Sequence, residues 1–386
     1  MKILYITPSL PNDFSRIRTK NILKAFKKEK HEVTLISFYQ NKKDLGYLDE
    51  TKKLVNDVIL VKQPYIFSII NCLIGIFLPI PLRVAYYYNP IFKSKIKNIY
   101  KNYDLIYIKR LRMAQYGKNI NNKVVIDITD SLTKYYDRLK SKPGLIQKIL
   151  SYEEYIKHKY YEVKIAKNNN TIICSEEDKK YLENISNTKL NNMMVIRNTI
   201  DTSNWINQNI KVKAKGNRVK LCFLGMMDYT PNVIAAHYFI KQILPKLDAK
   251  YDVTFIGKNC SKSLLKLSSK RIKFAGYVSD LKNELIKYDI FVCPITVGSG
   301  IKNKIFQAIC AGLPIVSTDL GVEGMKLVIK NKIRIANDPK SFVEQIENIN
   351  SINDSILLKN LSEAQNIIVK EYDIKRSMSV LLDGVK

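Results

Sequence analysis

Acidic side chains are scarce in this sequence of 386 residues: 35 Asp and Glu stand against 64 Lys and Arg, a formal net charge of +29. Most surfaces need no such excess. An anionic partner is therefore expected: nucleic acid, anionic lipid or a phosphate-bearing small molecule. Part of the excess fits AT-rich coding, since the chain is heavy in Lys, Asn and Ile and light in Ala and Gly. Cysteine is also sparse. Cys72, Cys174, Cys222, Cys260, Cys293 and Cys310 lie far apart with no Cys-x-x-Cys pair, which excludes a zinc ribbon or thioredoxin-like site. Four of them (Cys174, Cys222, Cys293, Cys310) sit in apolar runs, where a free thiol acts as a small hydrophobe. No Gly-Lys-Ser/Thr occurs, so a Walker loop is excluded. No apolar run reaches the ~20 residues that a bilayer crossing needs. The opening Met1–Ile6 reads as a strand and not as a secretory signal, so a reducing cytoplasm is the expected compartment.

What is present is ordinary globular material, 46% apolar and 26% charged. At ~150 residues per domain the length predicts two or three domains. The charge is unevenly spread. Residues 51–125 hold 13 basic side chains against only Asp57 and Asp104.

Short Ile/Val-rich runs alternate with amphipathic segments. Strands are predicted at Lys2–Thr7, Val33–Phe38, Val58–Val61, Leu105–Ile108, Val124–Ile128 and Thr171–Cys174. Helices are predicted at about 17–28 and 145–167, the latter carrying Tyr152, Tyr155, Ile156, Tyr160 and Val163. Ser175 with Asp178 reads as the start of another helix. Polar residues 197–216 interrupt the alternation, which resumes at Val219–Leu224, Val253–Ile256, Ile272–Phe274, Ile290–Val292 and Ile315–Ser317. The expectation is α/β: two Rossmann-like domains of parallel strands and crossover helices. Their limits are 1–200 and 218–360, with a linker at 201–217 and a last segment, 361–386, returning to the first domain.

Residues 66–78 (IFSIINCLIGIFL) form a thirteen-residue run, apolar apart from Ser68 and Asn71 and closed by Pro79 and Pro81. It is either a buried core helix or an element that dips into a membrane face or shapes an acceptor groove. Lys62, Arg83, Tyr86–Tyr88 and the lysines at 93, 95 and 97 flank it, as cations and aromatics flank interfacial segments.

The clearest site signal is Asp289–Lys304. A hydrophobic strand runs into Gly298-Ser299-Gly300, then into an apolar helix beginning near Ile301. Glycines admit a ligand close to the backbone, and a helix start offers free N–H groups to an anion. Lys302 and Lys304 oppose the helix dipole unless something negative is bound, which points to phosphate or diphosphate. The alternative is a tight turn with two solvated lysines.

These residues also carry a resemblance. Phe223–Asn232, Phe274-Ala-Gly276-Tyr277-Val278-Ser-Asp280, Gly298–Lys304 with Gln307–Thr318, and Gly321–Gly324 occur in the order found in the retaining glycosyltransferases of family 4. Asp127–Ser131, Tyr161-Glu162 and Arg197–Asp201 match by position in the first half. The resemblance covers nearly the whole chain. It implies the GT-B fold, two Rossmann-like domains whose parallel sheets face across a cleft. It implies a donor site on the second domain at Gly225, Gly276, Tyr277, Val278, Gly298, Ser299, Gly300, Ile301, Lys302, Asn303, Lys304 and Gln307. The expected catalytic residues are Lys302, Lys304, Arg18 and Asp130. Arg18 stands at the place of a recurrent arginine, or is a surface residue at a helix start. Asp130 contacts acceptor or sugar, or caps a helix. Glu162 is read as structural. Two features depart from the family. Ser299 and Gln307 stand where many relatives carry two glutamates, so the ribose contact is predicted to be weaker. No histidine follows residues 107–112, so none of His31, His158 and His237 is assigned to catalysis.

The implied activity is metal-independent, hexosyl-type transfer with retention from a UDP- or GDP-sugar, with no cofactor and no metal site. The absence of any Asp-x-Asp agrees with that. The expected acceptor is a glycan or polyprenyl-linked precursor of bacterial surface polysaccharide (capsule or O-antigen), bound near Pro79–Tyr88 and Arg110/Arg112. The expected location is cytoplasmic, peripheral on the inner face of the plasma membrane, with an anionic membrane surface as partner. Alternatives are a nucleotide-sugar epimerase on the same fold, a weakened partner subunit, and a basic nucleic-acid-binding protein. No nucleic-acid motif supports the last, so nucleic acid is not expected as a partner.

Overall fold

The computed structural model describes residues 1–11, 17–140, 145–208, 210 and 218–385. The chain divides into two compact units, residues 1–197 with 375–386, and residues 198–374.

The first unit is built on seven strands: β1 (Lys2–Thr7), β2 (Glu32–Tyr39), β3 (Asp57–Lys62), β4 (Leu105–Lys109), β5 (Lys123–Thr129), β6 (Asn170–Ile173) and β7 (Met193–Val195). They form one sheet in the order β3-β2-β1-β4-β5-β6-β7, and every pairing is parallel. A strand covered on both faces reads as a continuous apolar run. β1 does so, with Ile3, Leu4, Tyr5 and Ile6 all buried, paired to Val33–Ile36 on one side and Leu105–Ile108 on the other. Tyr5 stacks on Tyr107 across the β1–β4 pair at 5.0 Å.

The second unit repeats the plan with six parallel strands: β8 (Val219–Leu224), β9 (Tyr251–Ile256), β10 (Ile272–Gly276), β11 (Ile290–Cys293), β12 (Ile315–Ser317) and β13 (Arg334–Ile335). Their order is β10-β9-β8-β11-β12-β13. Each sheet reverses its strand order once, between β1 and β4 in the first and between β8 and β11 in the second. In open α/β sheets, ligands bind at the carboxyl ends of the strands at that reversal. The four cysteines read as hydrophobes are buried.

The chain passes from one unit to the other at 197/198 and 374/375. Residues 198–205 lie in the second unit, where Ile200 N donates to Tyr372 O and Thr202 N to Asp373 Oδ2. Of the polar stretch 201–217, Thr202–Trp205 is helical, and residues 209 and 211–217 lie outside the described residues. At the carboxyl end, the helix Asp354–Tyr372 stays with the second unit. The following helix Ile374–Val385, from Lys375 onward, belongs with the first.

Candidate functional site

The second sheet brings the glycine-rich loops to one edge, because all its strands are parallel and each loop follows a strand's carboxyl end. β8 runs into Gly225 and β9 into Gly257. These two are interlocked: a Cβ on Gly257, whose φ is +152°, would stand 1.8 Å from the Gly225 carbonyl oxygen. A Cβ on Gly225 would collide with the Asn232 amide at 2.5 Å. β10 closes on Gly276 (φ +69°), which presents Tyr277 half exposed, with Lys258 Nζ 4.1 Å from the ring centroid. Val278 follows, half-buried.

After β11 the chain runs Pro294–Lys302 and enters the helix Asn303–Ala311. Gly298 and Gly300 both have positive φ (+133° and +70°), so the loop folds tightly under the helix start. The N-cap of that start is Lys302, whose own side chain makes no capping bond. A first turn without a cap offers N–H donors to a ligand anion. Asn303 keeps a buried Oδ1 with no hydrogen-bond partner. Ser299 is half-buried in the loop, and Ile301 is buried, its carbonyl accepting from Asn198 Nδ2 at 3.2 Å.

The two lysines differ. Lys302 folds back, Nζ donating to the Gly300 carbonyl at 2.7 Å with Glu323 Oε2 at 3.9 Å. Lys304 reaches across the strand reversal and donates to Asn232 Oδ1 at 2.7 Å, with its ammonium 4.1 Å from the Phe223 ring centroid. Burial pushes the Lys304 ammonium down to about 8; the Cys293 thiol acts the other way and Lys302 adds repulsion. Such a group gains from a bound anion. Gln307, one turn on, is buried, and its amide makes no hydrogen bond among the described residues.

Asn232 is the residue that sequence reasoning missed. Its Nδ2 holds the Met226 carbonyl at 2.8 Å while its Oδ1 receives Lys304, so it ties the loop after β8 to the loop after β11. The only signal was its place at the end of the Phe223–Asn232 segment.

The remaining expected residues, Arg18 and Asp130, lie in the first unit. Arg18 is the first-turn arginine of the helix Ile17–Lys28; residues 12–16 before it lie outside the described residues. Arg18 Nε donates to Asp127 Oδ2 at 3.0 Å, and Nη1 donates to the carbonyls of Ile196 and Arg197. It is thus no solvated helix-start residue. Asp127 also receives Lys109 Nζ at 2.6 Å, the Tyr107 hydroxyl at 2.9 Å and the Thr129 hydroxyl at 3.0 Å. Burial pushes the Asp127 carboxyl up, but Arg18 and Lys109 outweigh it and hold it well below the usual carboxylate range. Lys109 is brought down to about 7, burial outweighing Asp127.

Asp130 is half-buried, accepts from the Cys174 thiol at 2.9 Å and faces Arg110 at 3.7 Å. It caps nothing. The cap of the helix Leu132–Leu139 is Ser131, whose side chain accepts from Lys134 N. Glu162 completes that helix start, accepting from Leu132 N at 3.3 Å, Thr133 N at 2.8 Å and the Ser131 hydroxyl at 3.2 Å. Asp130, Cys174 and Asp178 bring three ligand-type atoms within 4.8 Å. Asp178 already holds Lys134 Nζ and Ser131 N, and burial keeps the Cys174 thiol protonated well above its ordinary range. That set does not suit a metal ion.

Residues 218–351 match the family of group 1 glycosyl transferases, a span that takes in all six strands of the second sheet. A sequence search among curated proteins gives no match. Among solved structures, Anabaena Alr3699/HepE in complex with UDP and glucose aligns with a TM-score of 0.69 at 14% identity, over 99% of this chain and 98% of that one. Sucrose-phosphate synthase from Thermosynechococcus elongatus aligns at 0.73 and 10% identity, over 99% and 98%. A Staphylococcus aureus TarM variant, in complex with fondaparinux, α-GlcNAc-glycerol and UDP, aligns at 0.71 and 10% identity, over 100% and 99%. The fold is GT-B, with its two Rossmann-like parallel sheets.

Proposed function

We propose that the protein is a glycosyltransferase of the family 4 type, moving a sugar with retention from a nucleoside diphosphate sugar to a glycan or lipid-linked acceptor. One observation carries the reading. A glycine loop enters an uncapped helix start at the strand reversal of the second sheet, and a cationic Lys304 of lowered proton affinity lies beside it. That is a site for a diphosphate. The group 1 match over the same residues supports it.

In this reading the donor diphosphate rests on the N–H groups of 302–304 and on the two lysines. The backbone of Gly276–Val278 lies against the base, a UDP or GDP base being expected, and Gln307 meets the ribose. The leaving diphosphate is stabilised by a helix start and two ammonium groups, with no metal required. The donor's own phosphate takes the acceptor proton, so the protein works by positioning. Asp130 and Arg110 face the acceptor. Arg18 acts as a positioning residue through Asp127. The reading places the enzyme on the inner face of a bacterial plasma membrane, in surface polysaccharide synthesis.

A thermal-shift panel of UDP, GDP, ADP and their sugars tests it. Stabilisation by one base class is expected, and its loss in Lys304→Met. No stabilisation by any of them overturns the reading. Conversion of a sugar nucleotide to its epimer without acceptor replaces it with epimerase activity.

A further inference from the structure

The helix Tyr65–Ile76 is turned inside out. Its inward side carries Ser68 and Gly75, both buried, and Asn71 and Cys72, both half-buried. Positions 68, 71, 72 and 75 make one helical face. Each of these residues is occupied. Gln63 Nε2 donates to Ser68 Oγ at 3.1 Å, Asn71 Nδ2 to Tyr88 O at 2.8 Å, and Cys72 Sγ to Leu82 O at 3.7 Å. At Gly75 a Cβ would stand 2.7 Å from Ala85 Cβ, so the helix meets its neighbour backbone to side chain. The outward side is Ile66, Phe67, Ile69, Ile70, Leu73 and Ile74, each between 43% and 59% exposed. The following turn adds Phe77 at 88%. A helix folded in water buries its apolar stripe. Burying the small and polar stripe instead is how helices pack where the surroundings are lipid.

A second exposed apolar stripe lies on a helix that touches this one. On the helix Leu145–Asn168, Ile149, Tyr152, Ile156 and Tyr160 recur at three- and four-residue spacing and are all exposed, while Ser151, Glu154, His158 and Glu162 are buried. The two helices join at the 75–82 turn: Lys157 Nζ donates to the carbonyls of Gly75 (2.9 Å) and Ile76 (3.0 Å), and Leu82 N donates to Glu154 Oε1 (2.9 Å).

The charge around this face is mostly basic, although Asp44, which accepts from Asn41 N, lies beside Tyr65. Lys62 ends β3 just before it. Lys93, Lys95 and Lys97 are exposed on the helix Pro90–Ile99, whose cap Asn89 is bonded to Gln63 at 2.6 Å. The two acids of residues 51–125, Asp57 and Asp104, stand at the amino ends of β3 and β4, and Asp104 receives Lys2 N there. The strands are parallel, so both acids are at the edge of the sheet opposite to the one from which the helix Tyr65–Ile76 departs. The nearest acids on the second helix are engaged: Glu153 pairs with Lys157 at 2.6 Å, and Glu154 holds Leu82.

We propose that this two-helix face docks the protein on an anionic bilayer. The helix Tyr65–Ile76 lies in the plane of the membrane, its apolar side and Phe77 enter the acyl boundary, and the lysines meet the headgroups. Twelve residues span roughly 18 Å against a hydrocarbon core of about 30 Å, so the helix lies on the membrane and does not cross it. Among the described residues, no helix is long and apolar enough to cross. A second copy of this chain is the poorer occupant, because it would bring two lysine rims together. The inference stands on this surface alone; resting on the transferase reading, it selects a lipid-linked acceptor over a soluble glycan.

Flotation of the full chain tests it, with vesicles of phosphatidylcholine alone and of phosphatidylcholine with 30 mol% phosphatidylglycerol as a probe composition of about that value. The protein is expected to float with the anionic vesicles at least about tenfold more than with the neutral ones. Leu73→Asp with Phe77→Asp removes flotation and leaves the nucleotide thermal shift intact, which separates this inference from the donor site. A second variant, Lys93→Gln with Lys95→Gln and Lys97→Gln, keeps the apolar face and lowers anionic flotation several-fold. Equal partition of wild type and both variants overturns the proposal. So does a wild-type protein that stays in solution as a dimer and becomes monomeric in the Asp variant, which assigns the face to a second copy.

Discussion

Lys304 is where single-residue chemistry is most exposed to test. Its ammonium is lowered from 10.5 to about 8, so folding disfavours the charged form. The empty protein therefore carries a cost below pH 8 that is relieved as pH rises from about 8 towards 10.5. A bound diphosphate reverses the preference. Nucleotide affinity is expected to hold up to about pH 8 and then to fall by up to about tenfold per pH unit, read by titration calorimetry from pH 7 to 9.5. Lys304→Met abolishes the nucleotide shift, while the melting temperature of the empty protein stays at or above wild type. Gln307 carries the second residue-scale prediction. A carboxylate makes charge-assisted bonds that are stronger than an amide's by about 1 kcal/mol. Gln307→Glu is expected to tighten donor binding about fivefold; unchanged Kd removes the ribose contact from the reading.

At the scale of elements, the helix start at 131–133 depends on a partner 29 to 31 residues away, Glu162. Burial pushes that carboxyl up from 4.5 to about 7, the bonds from Thr133 and Ser131 acting the other way. A carboxyl raised on folding favours the folded state when protonated. Its contribution is full below pH 4.5 and is lost as pH rises to about 7. Urea melts between those pH values should show stability falling in wild type and a flatter profile in Glu162→Gln. Glu162→Ala, which leaves the N–H and hydroxyl groups of the 131–133 turn unpaired, should cost about 2–4 kcal/mol at all of them. The same elements show what patterning could reveal. Strands such as β1 and β8 were legible to the residue, because runs of six mostly apolar residues are too short for a buried helix and fit a strand covered on both faces. β7 and β13, three and two residues long, carry too little pattern to be seen. Asp130 was weighed as a cap, but Ser131 takes that role, since both residue types cap helices and only backbone geometry chooses. Asn232 escaped notice because its partner Lys304 is 72 residues away. The run at 66–78 stayed open between core and surface. Hydrophobicity gives a helix's composition, but which stripe is packed depends on what Ser68 and Gly75 meet.

For the whole molecule, the proposed donor site and the apolar face lie on different units, so each can be disabled without the other. Nucleotide binding and vesicle binding should therefore respond to separate variants. The placement of charge in residues 51–125 has a further, kinetic consequence. Thirteen basic side chains against two acids give this segment a net positive charge, with Lys62 just before the apolar face. An anionic surface attracts that charge before any contact is made. Arrival and departure then obey different physics. Stopped-flow mixing with anionic vesicles should show association slowing at least about fivefold between 50 and 500 mM salt, as the Debye length shrinks below about 5 Å. Dissociation, governed by withdrawal of Phe77 and its neighbours from the acyl region, should change less than about twofold.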